Sequence, residues 1–230
     1  MPVPDHSDEF SLILAASVHD MKNSLGMLLT SLEEVITEST AVNARQEQQF
    51  ATLQYEASRI NGELIQLLSV YRMQKNRMPI AIDEYYVSDF LEDQLTRNET
   101  LFSTRGIKTS MECDPDLIWY FDSDLIASVI NDALVNSSRY TQKAVCLSAQ
   151  MTEEGLQICI SDDGRGYPEF MLGPQDAEEK PSIYEQDRTN LGLYFATRVA
   201  AMHKQNDKAG YLVLANGGKL GGGEFILTLP

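Results

Sequence analysis

From Leu14 the apolar positions run Val18, Met21, Leu25, Leu28, Leu32 and Val35, in alternating steps of four and three. That alternation lays a single apolar stripe along a helix. After a polar break it resumes at Phe50, Leu53, Ala57, Ile60, Leu64, Leu67 and Tyr71, and no proline falls between Ser7 and Lys75. The pattern predicts two helices of roughly 25 to 30 residues. The joining segment, Thr37 to Asn43, is rich in turn and cap formers. One such hairpin has too little apolar area to stand alone, whereas two side by side bury both seams as a four-helix bundle. The reading is therefore a homodimer; packing of the hairpin on the rest of its own chain is the alternative.

Pro79 marks a boundary, giving units of 1–78 and 79–230. Beyond it the periodicity becomes a mixture of short strands and helices. Strands are predicted over Ile80–Val87, Ile107–Cys113, Leu117–Phe121, Ala144–Met151, Leu156–Ile160, Tyr211–Ala215 and Glu224–Leu229. Helices are predicted over Ser88–Phe102 with a Ser N-cap, over Asp124–Arg139, and from about Asn190 to Lys204. Thr-Glu-Glu-Gly makes a hairpin of the fourth and fifth strands. Tyr167 to Thr189, rich in proline and acid and with no clear period, reads as a long mobile loop, of the kind that is usually functional inside a compact domain. The fold class is α+β: a helical hairpin forming a dimeric bundle, then an α/β sandwich of about 150 residues.

Composition narrows the function. With 43% hydrophobic and 23% charged residues, the 230-residue chain can bury a real core. Its 34 Asp+Glu against 18 Lys+Arg give a net charge of −16. That disfavours a general nucleic-acid or anionic-membrane binder, which needs clustered cations. Any nucleotide must be held by local amides and a few placed cations. No apolar run reaches membrane-span length, and the acidic N-terminus lacks a signal-peptide pattern. Three cysteines without a CxxC pair fit a reduced cytoplasmic protein.

Five short segments carry candidate chemistry. In His19-Asp20-Met21-Lys22-Asn23 the imidazole flanks the apolar stripe, Asp20 can orient it or take its proton, and Asn23 lies one turn on. A helical His beside Asp is also a common surface pair. In the second segment Asp132 and Asn136 share a helical face, Arg139 is placed for a phosphate and Tyr140 offers a ring to a base. An amide oxygen such as that of Asn136 suits Mg²⁺ when phosphates supply the charge. The bland alternative is the polar outer face of a helix. In the third, Asp162-Asp163-Gly164-Arg165-Gly166 ends a strand, where a carboxylate can accept from an exocyclic amine and glycines admit a ligand; alone it is also an ordinary turn. In the fourth, Thr189-Asn190-Leu191-Gly192-Leu193 opens a helix whose amides suit phosphate. The fifth is Gly221-Gly222-Gly223-Glu224-Phe225.

The order and spacing of these segments resemble the transmitter region of bacterial sensor histidine kinases. The resemblance covers nearly the whole chain. It implies a dimerisation and phosphoacceptor hairpin over 1–78, and over 79–230 the ATP-binding domain shared with gyrase and heat-shock chaperones. It makes His19 the phosphoacceptor, Asp20 its acidic helper and Asn23 a residue associated with dephosphorylating the partner. It makes Asn136 the Mg²⁺ ligand, with Arg139, Tyr140, Asp162, Gly164, Gly166, Gly192 and Leu193 around ATP. Asp132 stands where the family carries its first Asn, and is read as a water-holding base or a metal neighbour. Asn23-Ser24 replaces the usual Thr-Pro, removing a helix bend. Arg188 and Asn190 replace the first two glycines of the second glycine box; Asn tolerates the left-handed region, and Arg188 adds a cation.

The implied function is autophosphorylation of His19 from Mg-ATP, transfer to an aspartate of a response-regulator receiver domain, and dephosphorylation of that partner. The alternative is a dimeric histidine phosphotransfer protein with a degenerate second domain that does not bind ATP. A superfamily kinase acting on protein serines is disfavoured, because it needs no phosphoacceptor helix. About ten residues precede the first helix, which leaves sensing to an upstream protein or to a segment separated from this one.

Overall fold

The structure is a computed structural model that describes residues 18, 20, 21, 23–28, 30, 31, 44–74, 78–176 and 191–230. The chain divides into two units, Met1–Met78 and Pro79–Pro230. In the first unit the described residues between 18 and 31 are helical and are called α1; α2 follows over Ala44–Gln74. The expected joining loop at Thr37 to Asn43, and His19 itself, lie outside the described residues. On α2 the buried positions are Ala57, Gln66, Val70 and Met73, while seam residues Leu64, Leu67 and Tyr71 are half-buried. Leu53 and Ile60 are 55% and 42% exposed, and on α1 Met21 and Leu28 are about as open. Four described seam residues, two on each helix, are thus exposed.

In the second unit the strands are β1 (Asp83–Tyr86), β2 (Lys108–Glu112), β3 (Ile118–Phe121), β4 (Ala144–Thr152) and β5 (Gly155–Asp162). They continue with β6 (Gly173–Pro174), β7 (Lys204–Gln205), β8 (Lys208–Ala209), β9 (Tyr211–Asn216) and β10 (Gly223–Leu229). The helices are α3 (Val87–Arg97), α4 (Glu99–Thr104), α5 (Ser123–Tyr140) and α6 (Leu191–Met202). Six strands form one mixed sheet in the order β2-β4-β5-β10-β9-β6, with only β2 and β4 parallel. Strand alternation decides its faces. Leu147, Ile160, Phe225 and Leu214 pair in one row across four strands, and Ala149, Ile158, Leu227 and Leu212 in the next. All eight are buried, as are the apolar residues of α5 and α6 that pack with the sheet. This is the α+β layer arrangement expected from the sequence.

Three expectations need correction. Ser88 is not an N-cap: the helix starts at Val87 after Tyr86, and the Ser88 hydroxyl donates to the Pro115 carbonyl. The helix expected through Phe102 breaks at Asn98, whose side chain donates to Gln94 O and to Asn131 Oδ1 of α5. That amide prefers local and cross-helix acceptors to continuing the helix. The long loop after Gly166 is not shapeless, since it holds a 3₁₀ turn at Glu169–Met171 and pairs β6 with β9. Residues 177–190 lie outside the described residues. A small hairpin, β7–β8, was not expected. Its two-residue turn, Asn206-Asp207, has positive φ at both positions, 47° and 65°, as a type I′ turn requires.

One buried node ties three segments together. The Asp122 side chain caps α5 by accepting from Leu125 N at 3.0 Å, and accepts from Ala81 N at 2.8 Å. Its backbone N–H donates to His203 Nε2 at 3.1 Å, while His203 Nδ1 faces Val199 O at 2.8 Å. The neutral Nδ1–H tautomer satisfies both contacts; a proton on Nε2 would face another N–H. Burial, opposed by the Val199 contact and the Asp122 charge, holds the His203 pKa below its ordinary 6.5. The unfolded chain therefore takes up this proton first as pH falls. The stability due to neutral His203 should be complete above about pH 6.5 and be lost as pH falls toward the folded value. Urea midpoints between pH 7.5 and 5 should decline on this account, and His203→Asn should flatten the decline. An unchanged slope in that variant would show that the node does not titrate.

Candidate functional site

The third sequence segment is the hub. Asp162 ends β5 and is a buried residue, 6% exposed. Asp162 Oδ1 accepts from Gly164 N at 2.8 Å and from Gly223 N at 3.1 Å, and Gly222 N donates to Asp162 O at 2.9 Å. Two amides on one oxygen fix the carboxylate's direction and leave Oδ2 as its second acceptor. Glycine is needed here for closeness. A Cβ on Gly164 would lie 2.3 Å from Tyr140 O, and one on Gly222 would lie 2.4 Å from Asp162 O. Glycine at these two positions therefore lets the loops close on Tyr140 and on Asp162 itself.

Tyr140, the last residue of α5, meets this segment twice: through its carbonyl at Gly164, and through its ring, which Arg165 covers at 5.2 Å from the centroid. Asp132 and Asn136 are half-buried one turn apart on the same helix, and Arg139 is exposed near its end. Gly192, in the first turn of α6, abuts Asp132: a Cβ there would lie 2.1 Å from Asp132 Oδ2. Any other residue would drive the carboxylate away. Leu193 is half-buried, and its carbonyl accepts from Thr197 Oγ1. Gly166 has φ +74° and leaves room for the Asn216 side chain.

The geometry thus brings together Asp132 with Gly192, Tyr140 with Gly164, and Asp162 with Gly164. Asp20 and Asn23 belong to the other unit, where both are exposed and helical. Thr189 and Asn190 of the fourth segment, with Arg188, lie outside the described residues. Several participants carried no role in the sequence reading. Asp163 accepts from Gln142 N and Lys143 N, anchoring the loop after α5. Burial opposes its ionisation, yet the amides of Lys143, Ala144 and Gln142 hold its carboxyl below the usual range. The Tyr167 ring lies against the Cβ position of Gly223, and burial, then the Asp162 charge, raise its phenol pKa. Arg165 and the amides of Gly222 and Gly223 complete the set. The Gly-rich run 221–223 was the one local signal for them.

The donor set is oxygen-only, which suits a hard cation that keeps water and phosphate ligands. Among the described residues no group of three or more His, Cys, Asp or Glu could hold a metal unaided. Asn136 would hold Mg²⁺ only jointly with phosphates. A cavity of about 390 Å³ lies elsewhere, between β1, α3 and the start of α5, and contains none of the candidate residues.

No protein-family model matches the chain. It is 21% identical over 161 residues to the virulence sensor histidine kinase PhoQ of Salmonella typhimurium, covering 70% of this chain and 32% of that protein. The chain thus spans about a third of the length of the curated relatives it matches. Among solved structures, the histidine kinase AdeS of Acinetobacter baumannii matches with a TM-score of 0.61 at 14% identity, over 90% of this chain and 95% of that one. Full-length ShkA in complex with AMPPNP matches with a TM-score of 0.67 at 18% identity, over 94% of this chain and 45% of that one. In sequence and in fold, this chain is similar to the transmitter region of a sensor histidine kinase.

Proposed function

We propose that the chain is a dimeric, cytoplasmic protein-histidine kinase that phosphorylates His19 from Mg-ATP and passes the phosphoryl group to an aspartate of a response-regulator receiver domain. The observation that carries the reading is the Asp162 carboxylate, aimed by two glycine amides within a wall that only glycines can form. Such an acid suits an exocyclic amine of a base. Asn136 would ligate Mg²⁺ together with the phosphates, and the start of α6 at Gly192 and Leu193 would face the phosphate chain. Arg139, with Tyr140, Gly164 and Gly166, would complete the nucleotide contacts.

In this reading residues 79–230 bind ATP, and residues 1–78 carry dimerisation and phosphotransfer. The exposed seam residues Met21, Leu28, Leu53 and Ile60 support a second copy as their cover. No helix among the described residues is long and apolar enough to cross a membrane. In the transfer itself a His19 ring nitrogen attacks the γ-phosphorus, an N–P bond forms, and the bond to the ADP oxygen breaks. Asp20 takes the imidazole proton or holds the tautomer that leaves the attacking nitrogen free. Asn23 would later orient a water toward the receiver's phosphoaspartate, an orienting role with no proton transfer. An upstream sensory protein would set the balance of these steps.

Incubation with γ-labelled ATP and Mg²⁺ tests the reading. The expected product is a labelled chain whose phosphate is acid-labile and base-stable, as a phosphoramidate is, and which a receiver domain discharges. The absence of nucleotide binding at millimolar ATP in calorimetry would instead favour the phosphotransfer protein, a reading that draws on Arg188 and Asn190 in place of glycines.

A further inference from the structure

We infer that Asn216 is a positioning residue of the base-recognising site, one that holds the Asp162–Tyr167 segment in the shape needed to read an amino group on the base. The inference rests on the nucleotide reading above. Asn216 is the last residue of β9, and its side chain makes a two-point clamp on one residue outside any strand. Asn216 Oδ1 accepts from Tyr167 N at 2.7 Å, and Asn216 Nδ2 donates to Tyr167 O at 2.8 Å. Both backbone groups of Tyr167 are thereby satisfied as a strand neighbour would satisfy them. The approach depends on Gly166, where a Cβ would lie 2.4 Å from Asn216 Oδ1.

Register gives this clamp its meaning. Asn216 is the direct partner of Gly223 across the β9–β10 ladder. Gly223 is the residue whose amide aims Asp162 Oδ1. A single rung of the sheet therefore grips both ends of the segment 162–167, the acid through Gly223 and the tyrosine through Asn216. The loop between them closes on itself, with Gly217 N donating to Gly222 O at 2.8 Å and Gly221 N to Gly218 O at 2.9 Å. Asp163 anchors the inner part of the segment on Gln142 and Lys143.

The consequence falls on the free oxygen of Asp162. The Tyr167 ring and Asp162 Oδ2 lie 3.0 and 3.1 Å from the same point, the Cβ position of Gly223. They are walls of one small space. Releasing Tyr167 from Asn216 lets the ring move away from Oδ2 and loosens the wall that would confine a base amine beside that oxygen. A slight misplacement of such a group costs recognition without removing the group itself.

Calorimetry on the full chain with ATP and with inosine triphosphate, whose base carries an oxygen in place of the amine, tests this. The unmodified chain should prefer ATP. Asn216→Ala should weaken ATP by about tenfold and bring the two dissociation constants together, because the amine-reading geometry is what is lost. Asn216→Asp keeps the acceptor for Tyr167 N and loses the donor, so its preference should fall between. Thermal melts accompany each variant, and Asn216→Asp decides the matter if Asn216→Ala does not fold. Equal weakening of both nucleotides, or unchanged constants in a folded variant, would overturn the positioning role while leaving the kinase reading intact. Failure of the unmodified chain to bind either nucleotide would overturn the kinase reading, and this inference with it.

Discussion

Replacing His19 by glutamine should abolish transfer of label from ATP to the chain while leaving the nucleotide dissociation constant unchanged. Glutamine is comparable in size and has good helix propensity, so the helix and its seam should survive. What it lacks is the ring nitrogen whose lone pair can attack phosphorus; its amide nitrogen is delocalised and poorly nucleophilic. The loss is therefore one of chemistry and not of affinity. It is the largest effect expected for any single change in the chain. Gel autoradiography and calorimetry on the same preparation check both halves of the statement. Label that persists in the variant would assign the phosphate to another residue.

Asp162→Asn should produce the second large effect, a loss of nucleotide affinity in a chain that still folds. The amide oxygen of asparagine can occupy the Oδ1 position and accept from Gly164 and Gly223, so the local backbone stays satisfied. Its NH₂ group then replaces Oδ2, turning an acceptor into a donor where, in the proposed reading, the base offers its own amine. Loss of a hydrogen bond to a charged acceptor costs about 1–3 kcal/mol, or roughly five- to 150-fold in Kd. Asp162→Ala differs in kind. It strips the acceptor from two buried amides, and so should lower the melting temperature as well as the affinity. Calorimetry and melts on both variants separate the two outcomes. Full affinity in folded Asp162→Asn would remove this acid from base recognition.

The helical and strand elements were mostly legible because their periods are local. The 3-4 spacing around Phe50 to Tyr71 corresponds to α2, and the predicted runs Ala144–Met151 and Leu156–Ile160 to β4 and β5. The Gly-rich and acidic segments were visible as motifs, since a run such as Gly221-Gly222-Gly223 stands out wherever it occurs. Where local reading failed, a distant group had outcompeted the local one. Asn98 ended a helix that periodicity alone would continue, because Asn131 on α5 offered its amide an acceptor.

By itself, then, the sequence determined the helical stripes, the boundary at Pro79, most of the strands and the candidate chemistry of Asp162, Asn136 and His19. Each of these is expressed within a few residues of chain. The tertiary structure alone decided which amides aim Asp162, that Tyr167 shares its space, that Asp132 rests against Gly192, and that Asn216 clamps the segment. Those contacts join residues 61 positions apart for Gly223 and Asp162 and 49 apart for Asn216 and Tyr167. No periodicity spans such distances. They arise when sheet register sets Asn216 opposite Gly223, and register is chosen by burial of the whole inward face rather than by any one residue of the site.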